Sequence, residues 1–244
     1  MSGFVYSSGA TSSGTPVDLN LSPHSGTPSS IANGATLDAT MLNGWKVWDP
    51  SGYFGGSAVI TDDGAKMTVK PTGGATNSYT GSGLWTNASL EYPHKLTGDF
   101  TASLKYAGEA SMGTNQSWCG IVAGNRGNSS PRASYNGASA GFHTNAARDN
   151  VWTTALSSGT ASSYYTLDTS AIAWATPTWM QLSRRGSVVT MNRKTLDGDD
   201  WIEVESDSVD VIGADFTLSL TFRPTALLAF YIYAFELSGT QATE

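Results

Sequence analysis

The strongest constraint on the fold is a strict two-residue alternation of apolar and polar side chains in two separate segments. Phe100–Tyr106 reads F-T-A-S-L-K-Y, and Phe216–Phe222 reads F-T-L-S-L-T-F. Successive side chains of a β-strand point to opposite faces of the sheet, so this pattern predicts strands that bury one face only. No segment carries a helical apolar stripe longer than about ten residues. The chain is therefore predicted to be all-β.

Nine further apolar runs are separated by turn clusters rich in Gly and Asn. Short strands at this spacing are typical of a β-sandwich or jelly roll. A chain of 244 residues fits a single large domain of this kind, because all-β domains often reach about 250 residues. The eleven predicted strands are 57–60, 65–70, 99–106, 117–123, 138–143, 151–156, 178–184, 187–192, 201–206, 215–222 and 227–237.

The charge pattern excludes several classes of protein. The net charge is −7 and only 13 Lys and Arg are present, which is contrary to the clustered basic surface that nucleic-acid binding needs. No apolar run approaches the roughly 18 residues of a membrane span. Cys119 is the single cysteine, so neither an intrachain disulfide nor a cysteine-based metal site is predicted.

The first 43 residues differ in composition from the rest of the chain. They are rich in Ser, Gly, Thr, Pro and Asn, and their only charged residues are Asp18 and Asp38. Segments of this kind lack the apolar surface to fold alone. They are interpreted as a flexible leader or as an arm that orders against another subunit, with 17–21 as a short candidate strand. We therefore predict an arm over 1–43 and a sandwich domain over 44–244.

The most specific motif lies between residues 179 and 201. Trp179–Gly186 fits W-x-x-L-x-R-x-G, and Thr195–Trp201 is close to S-x-D-G-x-x-W. Arg185-Gly186 and Asp197-Gly198 are predicted as tight turns, since Asp-Gly is a strong hairpin signal. The segment 187–194 between the turns is predicted to return across the sheet.

These residues resemble the concanavalin A-like (laminin-G-like) jelly-roll superfamily, in which a strand ending R-x-G, a second strand, a D-G turn and a strand opening with Trp follow one another. Gly98–Thr101 resembles the G-D-F-T start of a long central strand, Gly120–Gly124 the next strand, and Leu228–Leu237 the closing strand. The resemblance covers roughly 45–238. It implies a concanavalin A-like jelly-roll β-sandwich, here with an extended N-terminal arm. This fold hosts lectins, glycosidases and structural modules alike.

Catalysis by paired carboxylates is not expected. Retaining glycosidases of this fold are similar in carrying an E-x-D-x-(x)-E strand, with carboxyl groups about 5 Å apart. Here Glu203 and Glu205 stand two apart without a matching Asp, so they would share one face of an edge strand. They are interpreted as solvated carboxylates. No G-x-S-x-G nucleophile motif is present.

Metal binding has only weak candidates. Asp197, Asp199 and Asp200 form an oxygen-rich turn, as do Asp62 and Asp63, and such turns sometimes hold Ca²⁺. A hairpin turn is the preferred interpretation of both segments. The three histidines lack the spacing of a metal motif; they are His24, His94 and His143. No cofactor is predicted.

Sugar binding requires an exposed aromatic ring with polar side chains nearby. We predict a glycan site near the 148–152 segment. The alternative is that Trp118, Trp152 and Trp201 fill the core. The candidate glycan-binding residues are Trp118, Tyr135, Asn136, Arg148, Asp149, Asn150 and Trp152.

The predicted function is that of a non-catalytic virion surface component of the decoration, fibre or tail type. Met1, the absence of a secretory signal, the low charge and the Ser/Gly/Thr-rich arm favour bacteriophage proteins that assemble in the host cytoplasm. The arm is predicted to contact other virion proteins or copies of the same chain, and the sandwich to contact cell-surface glycans. A stand-alone lectin module, intracellular or extracellular, and a divergent polysaccharide-degrading enzyme are the alternatives.

Overall fold

A computed structural model describes residues 14–48, 58–71, 88–109, 118–125, 136–145, 148–157, 160–168, 175–207, 212–223 and 229–243. The described residues form fifteen strands and no helix, so none of them belongs to a helix able to cross a membrane. The strands are β1 (Gly14–Leu21), β2 (Lys46–Trp48), β3 (Ala58–Asp62), β4 (Met67–Pro71), β5 (Ala88–Glu91), β6 (Leu96–Gly108), β7 (Trp118–Asn125), β8 (Asn136–Asn145), β9 (Arg148–Ser157), β10 (Thr160–Asp168), β11 (Thr178–Arg185), β12 (Val188–Lys194), β13 (Ile202–Asp207), β14 (Asp215–Arg223) and β15 (Phe230–Ala242).

The strands form two antiparallel layers. The back sheet runs β15-β6-β11-β12-β13, and the free side of β15 pairs with β1 along one half and with β4, followed by β3, along the other. The front sheet runs β2-β5-β14-β7-β8-β9-β10. Strand β14 also pairs with the start of β6 at 215–216 and thereby joins the two layers. The predicted all-β jelly-roll sandwich is confirmed.

The core lies between the two sheets and consists of alternate residues of the central strands. Leu104 on β6 and Leu182 on β11 face it from the back sheet, and Ile121 on β7 and Leu220 on β14 face it from the front sheet; all four are fully buried. Cys119 is also fully buried, and this burial raises the pKa of its thiol. Cys119 is therefore a small residue of the core.

All eleven predicted strands are present, with ends displaced by a few residues. Strands β2, β5 and β10 were not predicted. The first two have three and four residues, which is too short for alternation to be recognised. Strand β10 reads T-A-S-S-Y-Y-T-L-D and is the last strand of the front sheet among the described residues. An edge strand pairs on one side only, so its sequence is less constrained to a regular alternation.

The predicted boundary between arm and sandwich is wrong for residues 14–43. Strand β1 pairs with β15 along its whole length, from Gly14 opposite Ala242 to Leu21 opposite Phe235. Leu37, Met41 and Leu42 are at most 4% exposed and belong to the main core. These few apolar residues stand in a segment rich in Ser, Gly, Thr and Asn without the two-residue alternation of a strand, so the pattern gave no signal that they belong to the sandwich. Residues 1–13 lie outside the described residues.

Asp62 connects this N-terminal region to the sandwich through hydrogen bonds. It is buried, and its carboxylate accepts hydrogen bonds from the backbone N–H groups of Met41 (2.9 Å) and Gly64 (3.2 Å). Its own backbone exchanges two hydrogen bonds with Gly26. The next carboxylate, Asp63, accepts from the N–H groups of Ala65 and Lys66. The prediction of a hairpin turn at 62–64 is therefore confirmed. Both carboxylates accept hydrogen bonds from backbone N–H groups.

The R-x-G and G-D-F-T motifs meet in space, which explains why both are present. Arg184 is 4% exposed and donates from Nε to the carbonyl of Gly98 (2.9 Å) and from Nη1 to that of Gly213 (2.5 Å). Asp99 accepts a hydrogen bond of 2.7 Å from the N–H of Gly186, a turn residue with φ of 59°. The motif arginine thus satisfies two carbonyl groups where the sheets join, which is a structural role.

Candidate functional site

The register of β7, β8 and β9 brings three of the predicted glycan-binding residues to one face. Trp118 pairs with His143, which pairs with Asn150. This row alternates with the row of buried Cys119, so it belongs to the face of the front sheet that points away from the core. Trp152 lies on the same strand face as Asn150, two residues further along β9. We call this side of the front sheet the front face.

Glycines stand beside Trp152 in the next row of the front face. Trp152 pairs with Gly141, Gly141 with Gly120, and Gly120 with Thr221 on β14. Two adjacent strands therefore contribute no side chain at this level of the sheet. Gly120 and Gly141 are themselves buried, so the front face is not exposed to solvent at these two positions.

The middle of the front face is closed and polar. Ser89, Ser219 and Thr221 are at most 2% exposed although they belong to the face opposite the core. The hydroxyl of Thr221 lies 3.0 Å from that of Ser89 and 3.4 Å from that of Ser219. This hydroxyl chain satisfies buried polar groups, as buried hydroxyls require.

The register separates other candidates from this group. Asn136 pairs with Asn125 at the opposite end of β8 from His143; seven residues of strand span about 24 Å. The prediction that Asn136 lies close to the 148–152 segment is therefore wrong. Tyr135 lies outside the described residues. Arg148 and Asp149 belong to the start of β9, where Arg148 shares the parity of Asn150 and Asp149 does not.

His143 was missed as a glycan-site candidate, although it stands between Trp118 and Asn150 in the same row. Its position in the sequence bears only on metal spacing, which it does not fit. The signal that would have revealed it is the β8–β9 pairing. The residues between these strands are Ala146 and Ala147, and alanine carries none of the turn preference that marks a hairpin in a sequence.

The tryptophans of the two motifs, Trp179 and Trp201, come together with Asp197 on the opposite side of the molecule, on the outer face of the back sheet. Trp179 donates its indole N–H to Asp197 at 2.6 Å and meets Trp201 edge-on at 6.4 Å between ring centroids. Lys105 contacts both oxygens of Asp197 at 2.7 and 2.8 Å. Lys194 lies 4.9 Å from the ring of Trp201. Trp201 is half-buried on this outer surface, so the interpretation of Trp201 as a core residue is wrong.

The Asp197–Asp200 turn is occupied by contacts within the protein. Asp197 accepts from Lys105 and Trp179, and Asp199 accepts from the N–H of Leu196 at 2.8 Å. The hairpin interpretation is confirmed. Within the described ranges, no three His, Cys, Asp or Glu side chains converge as metal ligands.

The pKa of Asp197 is lowered, first by the hydrogen bond from Lys105 and then by that from Trp179. A carboxyl with a lowered pKa in the folded state stabilises the fold above its unfolded pKa, near 3.8, and this contribution is lost as the pH falls further. We expect Asp197→Asn to lower the free energy of unfolding by a constant amount down to pH 3.8 and by a shrinking amount below it.

Denaturant melts of both proteins at a series of pH values measure this difference. Asp200→Asn removes the same charge from an exposed carboxyl of the same turn and is the matched control. A wild-type advantage over Asp197→Asn that persists unchanged far below pH 3.8 would contradict the assigned role of the ionised carboxyl.

Glu203 and Glu205 lie on an interrupted strand. Strand β13 is an edge of the back sheet, as predicted. A bulge interrupts it, so that Glu203 pairs with Asn192 and Glu205 with the buried Met191. The extra residue, Val204, breaks the alternation. The register therefore departs from the regular alternation on which the prediction of a shared face for the two glutamates depends.

Comparisons with known proteins were made by sequence and by structure. No family model and no curated protein matches the sequence. The fold matches the legume lectin-like domain from Entamoeba histolytica at 9% identity with a TM-score of 0.54, over 79% of this chain and 88% of that one. It matches the basic winged bean lectin, solved with Tn-antigen, at 8% identity with a TM-score of 0.57, over 94% of this chain and all of that one.

A third match is to a glycosidase. The Bacteroides ovatus protein GH43B of a xyloglucan locus aligns at 9% identity with a TM-score of 0.52, over 80% of this chain but only 36% of that one. Identities this low show a common fold and nothing about activity. The chain has the concanavalin A-like jelly-roll fold of legume lectins and lectin-like domains.

Proposed function

We propose that the protein is a non-catalytic glycan-binding module whose ligand contacts the Trp118 end of the front face. The observation that carries this proposal is the register row of Trp118, His143 and Asn150, with Trp152 two residues further on the same strand face. Indole rings stack on the apolar face of a pyranose, while amide and imidazole groups hydrogen-bond its hydroxyls. The lectin fold of the neighbours supports the proposal.

The site is small. The buried hydroxyl chain of Ser89, Thr221 and Ser219 closes the middle of the face, so a ligand is confined to the strand ends. A short terminal saccharide suits this geometry better than the interior of a long polymer. Arg148, at the start of β9 with the same parity as Asn150, borders the site and would favour ligands with an acidic group.

Trp152→Ala is expected to weaken glycan binding by about 1–3 kcal/mol, as loss of a stacked aromatic contact does, and to leave folding nearly intact. A glycan array identifies the ligand, calorimetry measures the affinity and a denaturant melt measures stability. Trp201→Ala is the matched control, because Trp201 lies on the outer face of the other sheet beside Trp179; it should leave glycan affinity unchanged.

Three results would contradict the proposal. A Trp152→Ala protein destabilised by about 3–5 kcal/mol would mean that this ring packs in the interior. Absence of glycan binding by the wild type would leave a purely structural role. Release of reducing ends from a polysaccharide, abolished by Glu203→Gln or Glu205→Gln, would instead establish an enzyme.

The virion-surface role is a separate proposal about where the module works. It is supported by the low charge and by the Ser/Gly/Thr-rich start of the chain. Since residues 14–43 belong to the sandwich, contacts with other virion proteins or with copies of the chain are proposed for the outer surfaces and for residues 1–13. Mass photometry distinguishes an assembling unit, seen as multiples of 25.6 kDa, from a lone module of that mass.

A further inference from the structure

A polar groove crosses the outer face of the back sheet, on the opposite side of the molecule from the front face. Its volume is about 320 Å³, and strands β1, β15, β6 and β11 form it. This volume is at the lower end of the range of about 300–1,000 Å³ found for small-molecule sites. Described side chains lining it include Asp18, Thr101, Ser103, Gln181, Glu236 and Ser238.

The floor of the groove is held in a fixed orientation. Gln181 donates from Nε2 to the hydroxyl of Ser103 (3.2 Å) and accepts at Oε1 from the amide of Asn192 (3.0 Å). Ser103 is 2% exposed, so this pair is anchored in the sheet. An amide nitrogen carries two N–H groups, and the second one of Gln181 remains to donate to a ligand.

The edge of the groove is negatively charged. Asp18 pairs with Ser238, and Glu236 pairs with Asn20, so the two carboxylates are diagonal neighbours on the exposed side of β1 and β15. No Lys or Arg is among the described residues that line the groove, and the ion pairs of Lys70 with Glu109 and of Lys105 with Asp197 lie elsewhere. This edge therefore favours a ligand with positive charge.

The arrangement disfavours two simpler ligands. Ca²⁺ needs six to eight oxygens with several carboxylates converging, and no three His, Cys, Asp or Glu side chains of the described residues converge as metal ligands. Anionic sugars would meet the carboxylates with like charge. The two carboxylates favour a compact cation, and the hydroxyl and amide groups of the groove favour one that also presents hydroxyl groups.

We propose that this groove binds an amine-bearing monosaccharide, with its ammonium group at Asp18 and Glu236 and its hydroxyls on Gln181, Thr101 and Ser238. The site is separate from the front face, and its test does not depend on the function proposed for that face. Charge-assisted hydrogen bonds are about twice as strong as neutral ones, so the amine determines selectivity and the hydroxyl contacts determine fit.

Titration of the ¹⁵N-labelled full chain with D-glucosamine, D-glucose, D-glucuronate and L-lysine tests the proposal. We expect glucosamine to bind about tenfold more tightly than glucose and both to bind more tightly than glucuronate. The amide signals of 18–20, 101–103 and 236–238 should shift and give the affinity of the groove, whereas any shifts of Gly120 and Gly141 report binding at the front face separately. Lysine carries the charge without the hydroxyls and should bind more weakly than glucosamine.

The variant Asp18→Asn/Glu236→Gln, with exposed and nearly isosteric changes, should lose the tenfold preference for glucosamine over glucose. The control Asp200→Asn/Glu203→Gln changes the net charge equally at exposed carboxylates of the β12–β13 hairpin and should keep that preference. Trp152→Ala should also keep it. Equal affinities for glucosamine and glucose, equal affinities for lysine and glucosamine, or an absence of shifts at the groove amides would each overturn the proposal.

Discussion

Deleting residues 1–43 is expected to leave a chain that does not fold at room temperature. The deletion removes strand β1 and four core side chains, those of Val17, Leu37, Met41 and Leu42. Burial of each such side chain contributes about 1.5–3 kcal/mol, and a domain is stable by only about 5–15 kcal/mol in total. Circular dichroism and a thermal melt of the truncated chain measure the loss.

Deletion of residues 1–13 alone is the matched control. It removes none of the described contacts, so the melting temperature should stay within a few degrees of that of the full chain. If the chain without residues 1–43 melted cooperatively near the full-length temperature, these residues would act as a separable arm and the assignment of β1 and Leu42 to the sandwich would be wrong.

Replacing Arg184 by Met is expected to lower the free energy of unfolding by about 2–4 kcal/mol. Methionine retains most of the packing volume but leaves the carbonyls of Gly98 and Gly213 without their donor, at about 1–3 kcal/mol for each unsatisfied group. It also removes the cation that lies 4.8 Å from the centre of the Phe216 ring. Equilibrium denaturation in urea measures the change.

Arg185→Met is the control on the neighbouring residue, whose side chain is exposed. It should change stability by no more than about 0.5 kcal/mol, as substitutions on the surface usually do. Equal losses at Arg184 and Arg185 would show that the effect comes from the charge of the turn. The predicted difference in stability loss distinguishes the motif arginine, Arg184, from its neighbour Arg185. The sequence alone does not distinguish the two.

The sequence by itself determined the class of fold and most of the strands. Phe100–Tyr106 and Phe216–Phe222 alternate because each strand buries one face, and that local rule needs no knowledge of the partner strands. The Asp197-Gly198 and Arg185-Gly186 turns were predictable for a similar reason, since their backbone preferences are local. The same patterns carried the resemblance to the concanavalin A-like superfamily.

Only the tertiary structure decided which residues meet across the sheets. Leu37 and Leu42 are isolated apolar residues in a polar segment, and their burial depends on a core supplied by strands far away in the chain. The bulge at Val204 places Glu203 and Glu205 opposite adjacent residues of β12, whereas a regular strand would place them opposite residues two positions apart. The reason is that register between strands is a non-local property.

The candidate sites show the same division. Trp118 and Asn150 were chosen for their chemistry, but His143 joins them only through the β8–β9 register, and Asn136 leaves them through the same register. Asp18 and Glu236 are 218 positions apart in the sequence and meet because β1 pairs with β15. Side-chain chemistry is written residue by residue in the sequence, whereas the grouping of side chains into a site is decided by the pairing of distant strands.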